Sequence, residues 1–425
     1  MARAVRNAAL RAREARSTAS VVDRASRAAL RLADPRDPIG REALSLLGRE
    51  LGWSASLCAS TLEGMSASWT REALTGVLDE ELGGAAALDG FVRTSRAGRR
   101  RRALGPPLLL LVHAGNVPGV TITAMIRGLM VRSGVLCKLP REEPGLGVLF
   151  ARALSAEDRL LGDCVAAAWW AGAARGEPWG EWVKLAGKVI VYGGEDVVRA
   201  VREDARVGAD VVAYGPRVGI AVLLPDADRP EAAARLAKDV LAYAQQGCVS
   251  PRAAYVVGGS AGEFAETLAT ALGAACETAP ERPLAAEATA IRALRAEVEF
   301  EESAGSAGEG SPGGRAVLGS ADGYSWTVIT GERPEPPVDD LPRVVRVHPV
   351  PDVSTLRGLL DSLEGRIQAI GTAGREGWDE VVALGLELGV SRVAELGTMA
   401  WPPPDWRHDG RAQLLPLIRW MDVED

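Results

Sequence analysis

Residues 107–140 read PLLLLVHAGNVPGVTITAMIRGLMVRSGVLCKLP, and this stretch decides the fold. Leu108–Val112 is an unbroken aliphatic run, the pattern of a strand covered on both faces in a parallel sheet. It stops at His113-Ala114-Gly115-Asn116-Val117-Pro118, where Gly and Pro interrupt regular structure. The period then turns helical over Thr121–Ser133, and a second aliphatic run follows at Val135–Leu139. Strand, turn, helix and strand in this order form a βαβ unit.

The same alternation continues outward. Helices are expected at Gly147–Leu154, Asp196–Ala205 and Glu231–Ala244, and strands at Val165–Trp170, Lys188–Tyr192, Asp210–Ala213 and Gly219–Leu224. A second unit follows, with Ala253–Val257, Ser325–Ile329, Arg343–Val350 and Ser391–Leu396 as strands. Its helices are Ala261–Ala274, Val353–Leu363, Trp378–Leu388 and a last one at Arg411–Met421. Ser303–Gly314 reads as a flexible Gly/Ser loop. Strands alternating with helices define a doubly wound α/β protein, whose ligands bind at the carboxyl ends of the strands. Upstream, residues 39–88 are helical in period, with Ser54 and Thr70 at cap positions and Arg99–Arg102 as a solvated loop. Residues 1–33 carry eight Arg and two acids; a basic helical extension accounts for them better than a transit peptide.

Composition narrows the function. The chain has 425 residues, 47% hydrophobic and 25% charged, which is ordinary for a globular protein of two or three domains. A net charge of −7 argues against nucleic-acid binding. The most apolar window, Leu108–Val131, contains His113, Asn116, Pro118 and Arg127, so no membrane span is expected. Five cysteines without a CxxC pair, and three scattered histidines, argue against a disulfide framework and a metal site. A reduced, cytoplasmic chain is the simplest reading.

Four places could carry chemistry. Cys248, after Gly247 and before Ser250-Pro251, is either a small buried residue or a nucleophile displayed on a turn. Asn116, just after a strand, either caps the next helix or donates its amide to a developing oxyanion. Gly193-Gly194 is either a plain tight turn or a turn facing a phosphate at a helix N-terminus. Lys138 and Arg141 close the second strand, as a surface basic pair on the plainest reading. No GxGxxG follows a predicted strand, and no P-loop or GxSxG is present.

Taken in order, GNVP, VLCKLPREEP, VYGGEDVV, QQGCVSP and WRHDG resemble the LuxC-type acyl-CoA reductases, a branch of the aldehyde dehydrogenase superfamily. The resemblance runs from about residue 40 to the end. It implies an aldehyde-dehydrogenase-like fold: two Rossmann-type α/β domains and a helical N-terminal region. The expected division is a helical region over 1–105, a cofactor domain over 106–244, a catalytic domain over 245–390 and a closing segment over 391–425. The implied activity is NAD(P)H-dependent reduction of a fatty acyl thioester to the aldehyde through an acyl-cysteine. The alternatives are an acyltransferase or thioesterase, or a CoA-acylating aldehyde dehydrogenase, on the same fold. Cys248 is implied as nucleophile and Asn116 as oxyanion donor. Lys138 matches the ribose-binding lysine, and Gly193 and Gly194 the pyrophosphate turn. Arg141 points to NADPH, with NADH as the alternative. His408, within WRHDG, is the candidate proton donor. The implied partners are an acyl-CoA or acyl-carrier thioester, an acyl-activating synthetase and further copies of the chain. Two carboxylates of oxidative relatives are missing. The water-activating Glu of the ELGG-like motif has no counterpart in Val212–Pro216, and the ribose-binding Glu has none in Val345–Val350. The ELGG string at Glu81–Gly84 precedes Asn116, out of chain order, and is a coincidence of sequence.

Overall fold

The computed structural model describes residues 1–95, 98–170, 176, 178–279, 281, 283–305, 315–337 and 341–424. The chain forms two compact units: Met1–Leu51, Cys58–Gly215 and Pro403–Asp425 make one, and Gly52–Leu57 with Pro216–Pro402 the other. The first holds β1 (Val92–Arg93), β2 (Arg99–Leu104), β3 (Leu108–Val112), β4 (Gly134–Lys138), β5 (Val165–Ala168), β6 (Lys188–Tyr192) and β7 (Asp210–Tyr214). The second holds β8 (Val218–Leu223), β9 (Pro251–Val257), β10 (Ala316–Gly319), β11 (Thr327–Thr330), β12 (Val344–Val350), β13 (Ile367–Ala373) and β14 (Arg392–Glu395). The chain then returns to the first unit with β15 (Arg419–Glu424).

In the first unit, β3 to β7 form a parallel sheet in the order β5-β4-β3-β6-β7. The chain winds outward from β3 to β5, then crosses back to lay β6 against β3, so the switch point of the topology lies between β3 and β6. Every residue of β3 is buried, as its aliphatic run requires. On one face, Leu108, Leu110 and Val112 pack with Val189, Val191, Trp182 and Val5. The N-terminal helices belong to this unit. Helix Ala2–Ala15 buries Val5, Ala8, Ala9 and Ala12. A Cβ at Gly134 would stand 3.0 Å from Val5, so only glycine lets β4 start under this helix. Two arginines lock the arrangement reciprocally. Arg13 donates to the carbonyls of Arg132, Gly105 and Pro106, while Arg132 donates to those of Ala12, Arg13 and Arg16. The carbonyls at the end of the first helix are thus satisfied by a guanidinium, which also pairs with Asp89.

In the second unit, the seven-stranded sheet runs β10-β11-β12-β9-β8-β13-β14, parallel except for the β10–β11 pair. Its core is aliphatic, with Ile220, Val222, Val257, Leu356, Ile370 and Leu384 around Tyr255.

The structure differs from the sequence expectations in four places. The unit boundary falls at Gly215/Pro216 rather than at residue 244, because β8 pairs with β9 and β13 and not with β7. Residues 1–105 and 391–425 are likewise shared out between the two units rather than separate. Arg99–Arg102 is not a loop: β2 pairs with β1 and β15, and Arg99 binds Asp422 at 2.6 Å. Arg411–Met421 is not a helix but a loop with one 3₁₀ turn, Leu415–Leu417, leading into β15, as Pro416 denies it helical hydrogen bonds. Ser54 and Thr70 do cap, accepting from the backbone N–H of Leu57 and Ala73. Of the Ser303–Gly314 loop, Ser303–Gly305 ends helix Ala285–Gly305 and 306–314 lie outside the described residues. Among the described residues no helix is long and apolar enough to cross a membrane, and no group of three His, Cys, Asp or Glu is placed to hold a metal.

Candidate active site

The carboxyl edge of the five-stranded sheet gathers five of the residues singled out above. Asn116 lies exposed in the turn after β3. The helix that follows, Val120–Met130, starts from Gly119 with no side-chain cap, so Asn116 does not serve as its cap. Lys138 ends β4, half-buried, with its ammonium 5.3 Å from the Trp170 ring centroid; burial holds its pKa below the usual lysine value, against the pull of Glu142. Arg141 lies exposed three residues on. The two turns touch. A Cβ at Gly115 would meet Glu142 Oε2 at 2.7 Å and Pro140 Cβ at 3.0 Å, so glycine is needed for the Asn116 turn to lie under the 138–142 loop. Glu143, next along, is buried and accepts from the Leu146 N–H at 2.6 Å. Burial, with Glu50 nearby, pushes its carboxyl up to about 8.

Gly193 and Gly194 follow β6 and differ in role. The Gly193 N–H donates to the Tyr214 carbonyl, and a Cβ there would press on Val197 at 3.2 Å. Gly194 heads helix Glu195–Asp204, and among the described residues nothing beyond its chain neighbours lies within 4 Å of where its Cβ would be. Across the switch point, His113 after β3 stacks on Tyr192 at the end of β6, with centroids 4.9 Å apart. Tyr192 stacks on Tyr214 at the end of β7, 4.8 Å away. The WRHDG turn completes the row: His408 meets Tyr214 edge-on at 5.0 Å and Trp406 at 5.3 Å. Arg411 donates to the Ala213 carbonyl, with its guanidinium 5.5 Å from the Tyr214 ring centroid. His113 is buried, neither ring nitrogen has a hydrogen-bond partner among the described residues, and burial pushes its pKa down to about 3. It is therefore neutral near pH 7 and no general acid. His408 is partly exposed, with Nδ1 3.6 Å from the Asp409 carboxylate.

Cys248 belongs to the second unit, in the turn before β9, at the amino ends of β8, β9 and β12. It is half-exposed, whereas Cys58, Cys137 and Cys164 are buried. Burial pushes the Cys137 and Cys164 thiols up, Cys164 to about 12, and also raises Cys276. The turn is tightly built. Tyr243, Ala244 and Gln245 all have left-handed backbones, with φ of 52°, 51° and 62°. Successive non-glycine residues there store on the order of 1–2 kcal/mol each. Tyr243 is buried against Trp401, with centroids 4.7 Å apart, and Asp239 holds the turn before that Trp by accepting from the N–H groups of Gly397 and Met399. At the other end, a Cβ on Gly219 would overlap the Val249 carbonyl, so β8 packs backbone to backbone on the cysteine turn.

The residues at the first unit's sheet edge fit a dinucleotide. The open face of Gly194 at a helix N-terminus leaves room for a phosphate, and Lys138 supplies a cation and donor. Asp196, in the first turn of that helix, is paired with Arg199 at 3.1 Å. The two stretches without the expected carboxylates fall on regular strands. Tyr214 ends β7 where a Glu was sought. Val345–Val350 lies within central strand β12, where His348 is buried on Tyr255 and donates from Nδ1 to the Arg333 carbonyl. Glu81 of the misplaced ELGG is structural; it accepts from the N–H groups of Gln413, Leu414 and Leu415. Tyr192, Tyr214 and Arg411 were not singled out from sequence, although Tyr192 directly precedes the Gly-Gly turn and Arg411 directly follows WRHDG.

Two parallel-sheet units with these turns make an aldehyde-dehydrogenase fold. A benzaldehyde dehydrogenase from Corynebacterium glutamicum superposes with a TM-score of 0.73 at 16% identity, covering 100% of this chain and 88% of that one. A 1-pyrroline-5-carboxylate dehydrogenase from Thermus with bound NAD gives 0.72 at 13% identity, covering 100% and 85%. Within that fold the chain belongs to the acyl-CoA reductase (LuxC) family, which it matches over residues 14–420. Its curated relatives include the long-chain acyl-protein thioester reductases of Vibrio harveyi, 24% identical over 84% of this chain and 72% of theirs, and of Photobacterium phosphoreum, 22% identical over 89% and 75%.

Proposed function

We propose that the protein reduces a fatty acyl thioester to the aldehyde with a nicotinamide cofactor, through an acyl group carried on Cys248. The observation that carries this reading is the half-exposed Cys248 on a strained, braced turn, in a chain of the LuxC family. The Cys248 thiolate attacks the thioester carbonyl, and the Asn116 amide with the Cys248 N–H supports the oxyanion. Collapse expels the donor thiolate, which takes a proton to leave as free thiol, and gives a Cys248 thioester. Lys138 and the Gly193-Gly194 turn would hold the cofactor, and Arg141 favours NADPH over NADH. When bound, the reduced nicotinamide supplies a hydride for the thioester carbonyl. Cys248 then leaves the resulting thiohemiacetal as thiolate, releasing aldehyde, with His408 as the residue that handles the proton. The lack of a carboxylate in Val212–Pro216 supports a thioester that outlasts attack by water.

The donor is acyl-CoA or an acyl-carrier thioester, delivered in the reducing cytoplasm, where the five cysteines stay as thiols. An acyl-activating synthetase and a homo-oligomeric assembly complete the proposal. The test is incubation with long-chain acyl-CoA or acyl-protein and NADPH or NADH, with aldehyde and nicotinamide oxidation as readouts. Cys248→Ala is expected to abolish both. Full activity in Cys248→Ala refutes the covalent route, and thiol release without nicotinamide oxidation in the parent marks a transferase or thioesterase instead.

A further inference from the structure

Gln245, three residues before Cys248, is fully buried. Its side-chain amide satisfies three backbone groups at once. Nε2 donates to the Pro251 carbonyl at 2.7 Å and to the Val344 carbonyl at 2.9 Å, and Oε1 accepts from the Val344 N–H at 2.9 Å. Pro251 opens β9 and Val344 opens β12, two adjacent parallel strands. The amide thus acts as one extra peptide group at the open end of the sheet. It offers the donors and acceptor that a strand neighbour would, and no other side chain of this length supplies two donors and an acceptor without charge.

The geometry points to Gln245 as the positioning residue for Cys248, a latch that holds the strained turn in the one shape that presents the sulfur. This inference rests on the reading of Cys248 as nucleophile. Left-handed backbone at Tyr243, Ala244 and Gln245 is unfavourable and relaxes unless something holds it. The Gln245 side chain joins the strained residues to the sheet: its own backbone is the last of the three left-handed residues, and its amide is fixed to β9 and β12. From there, Gln246, Gly247 and Cys248 follow, with the Ser250 N–H returned to the Gly247 carbonyl. Gln245 makes and breaks no bonds in the reaction. It sets where the sulfur stands, and a displacement of about 1 Å is worth about 10²-fold in rate.

The test uses the full chain and iodoacetamide as a probe of Cys248, read by mass spectrometry across pH 6–9, alongside turnover with acyl thioester and nicotinamide. Gln245→Met keeps the length and loses all three hydrogen bonds. It is expected to slow Cys248 alkylation and kcat together by about 10- to 10²-fold, with the KM for nicotinamide unchanged. Gln245→Glu keeps the acceptor but turns a second carboxylate oxygen on two carbonyls. Its deficit relative to the parent is expected to shrink as pH falls and the carboxyl regains a proton to donate, which a general loss of stability would not do. Parent-like alkylation and kcat in Gln245→Met overturn the proposal. If neither variant accumulates as folded protein, Gln245→Asn keeps the amide on a side chain one methylene too short to reach both strands, and parent-like Cys248 alkylation and kcat there overturn the proposal equally. Failure of the nucleophile reading is separate, since it appears as retained turnover in Cys248→Ala.

Discussion

Glu143→Gln separates the electrostatics of the cofactor edge from its shape. Glu143 is buried beside Glu50 in the segment that joins Lys138 and Arg141 to helix Gly145–Glu157. Its carboxyl has moved from an ordinary 4.5 to about 8, chiefly through burial. The folded protein therefore keeps a proton that the unfolded chain gives up. The stability this confers is complete below about 4.5 and is lost as pH rises through about 8. At ~1.4 kcal/mol per tenfold change in proton affinity, the full swing is on the order of 4–5 kcal/mol. For a unit of this size that is a fall of about 10 °C in melting midpoint. An amide in place of the carboxyl carries no titrating proton, so the parent's midpoint relative to the variant's is expected to fall as pH rises from 5 to 9. If Lys138 and Arg141, carried by the same segment, hold the cofactor as proposed, the parent's nicotinamide KM is expected to rise above pH 8 relative to the variant's. Thermal melts followed by circular dichroism, with KM against pH, make the comparison. Parallel midpoint curves for the two proteins would refute the assignment of a buried, protonated carboxyl.

Two further outcomes follow from the packing. Gly219→Ala sets a methyl group on the Val249 carbonyl, where backbone and not a flexible side chain must yield; it is expected to cost about 1–3 kcal/mol and to lower kcat, read by melting and by Cys248 acylation, and a parent-like kcat would show that the turn tolerates displacement. Lys138→Met keeps the stem against Trp170 and removes the cation, so the nicotinamide KM is expected to rise about tenfold with kcat little changed, as loss of uniform binding predicts, and an unchanged KM removes Lys138 from the cofactor site.

The parallel cores were legible because burial on both faces leaves a mark in the chain itself. Leu108–Val112, Gly134–Lys138 and Lys188–Tyr192 are short apolar runs closed by Gly, Pro or charge, and they became the centre of the first sheet. What escaped notice depends on partners far away in sequence. Four consecutive arginines look like a loop until Asp422 arrives, 323 residues later, to pair with the first. The unit boundary escaped because β8 looks the same whether it joins β7 or β13. Among the candidate residues, those next to Gly turns and strand ends could be picked out from the chain alone: Cys248, Asn116, Lys138 and Gly193. Gln245 was not, since its partner Val344 lies 99 residues away and a buried amide has no sequence signature.

Glu81 has a consequence for how the first unit is closed. Its carboxylate receives three N–H groups from residues 413–415, and β2 receives β15 from residues 419–424. The first unit is therefore joined from segments on either side of Pro216–Pro402. A chain cut just before residue 413 would keep every residue of the second unit but leave the first without the three donors to Glu81 and without its closing strand β15.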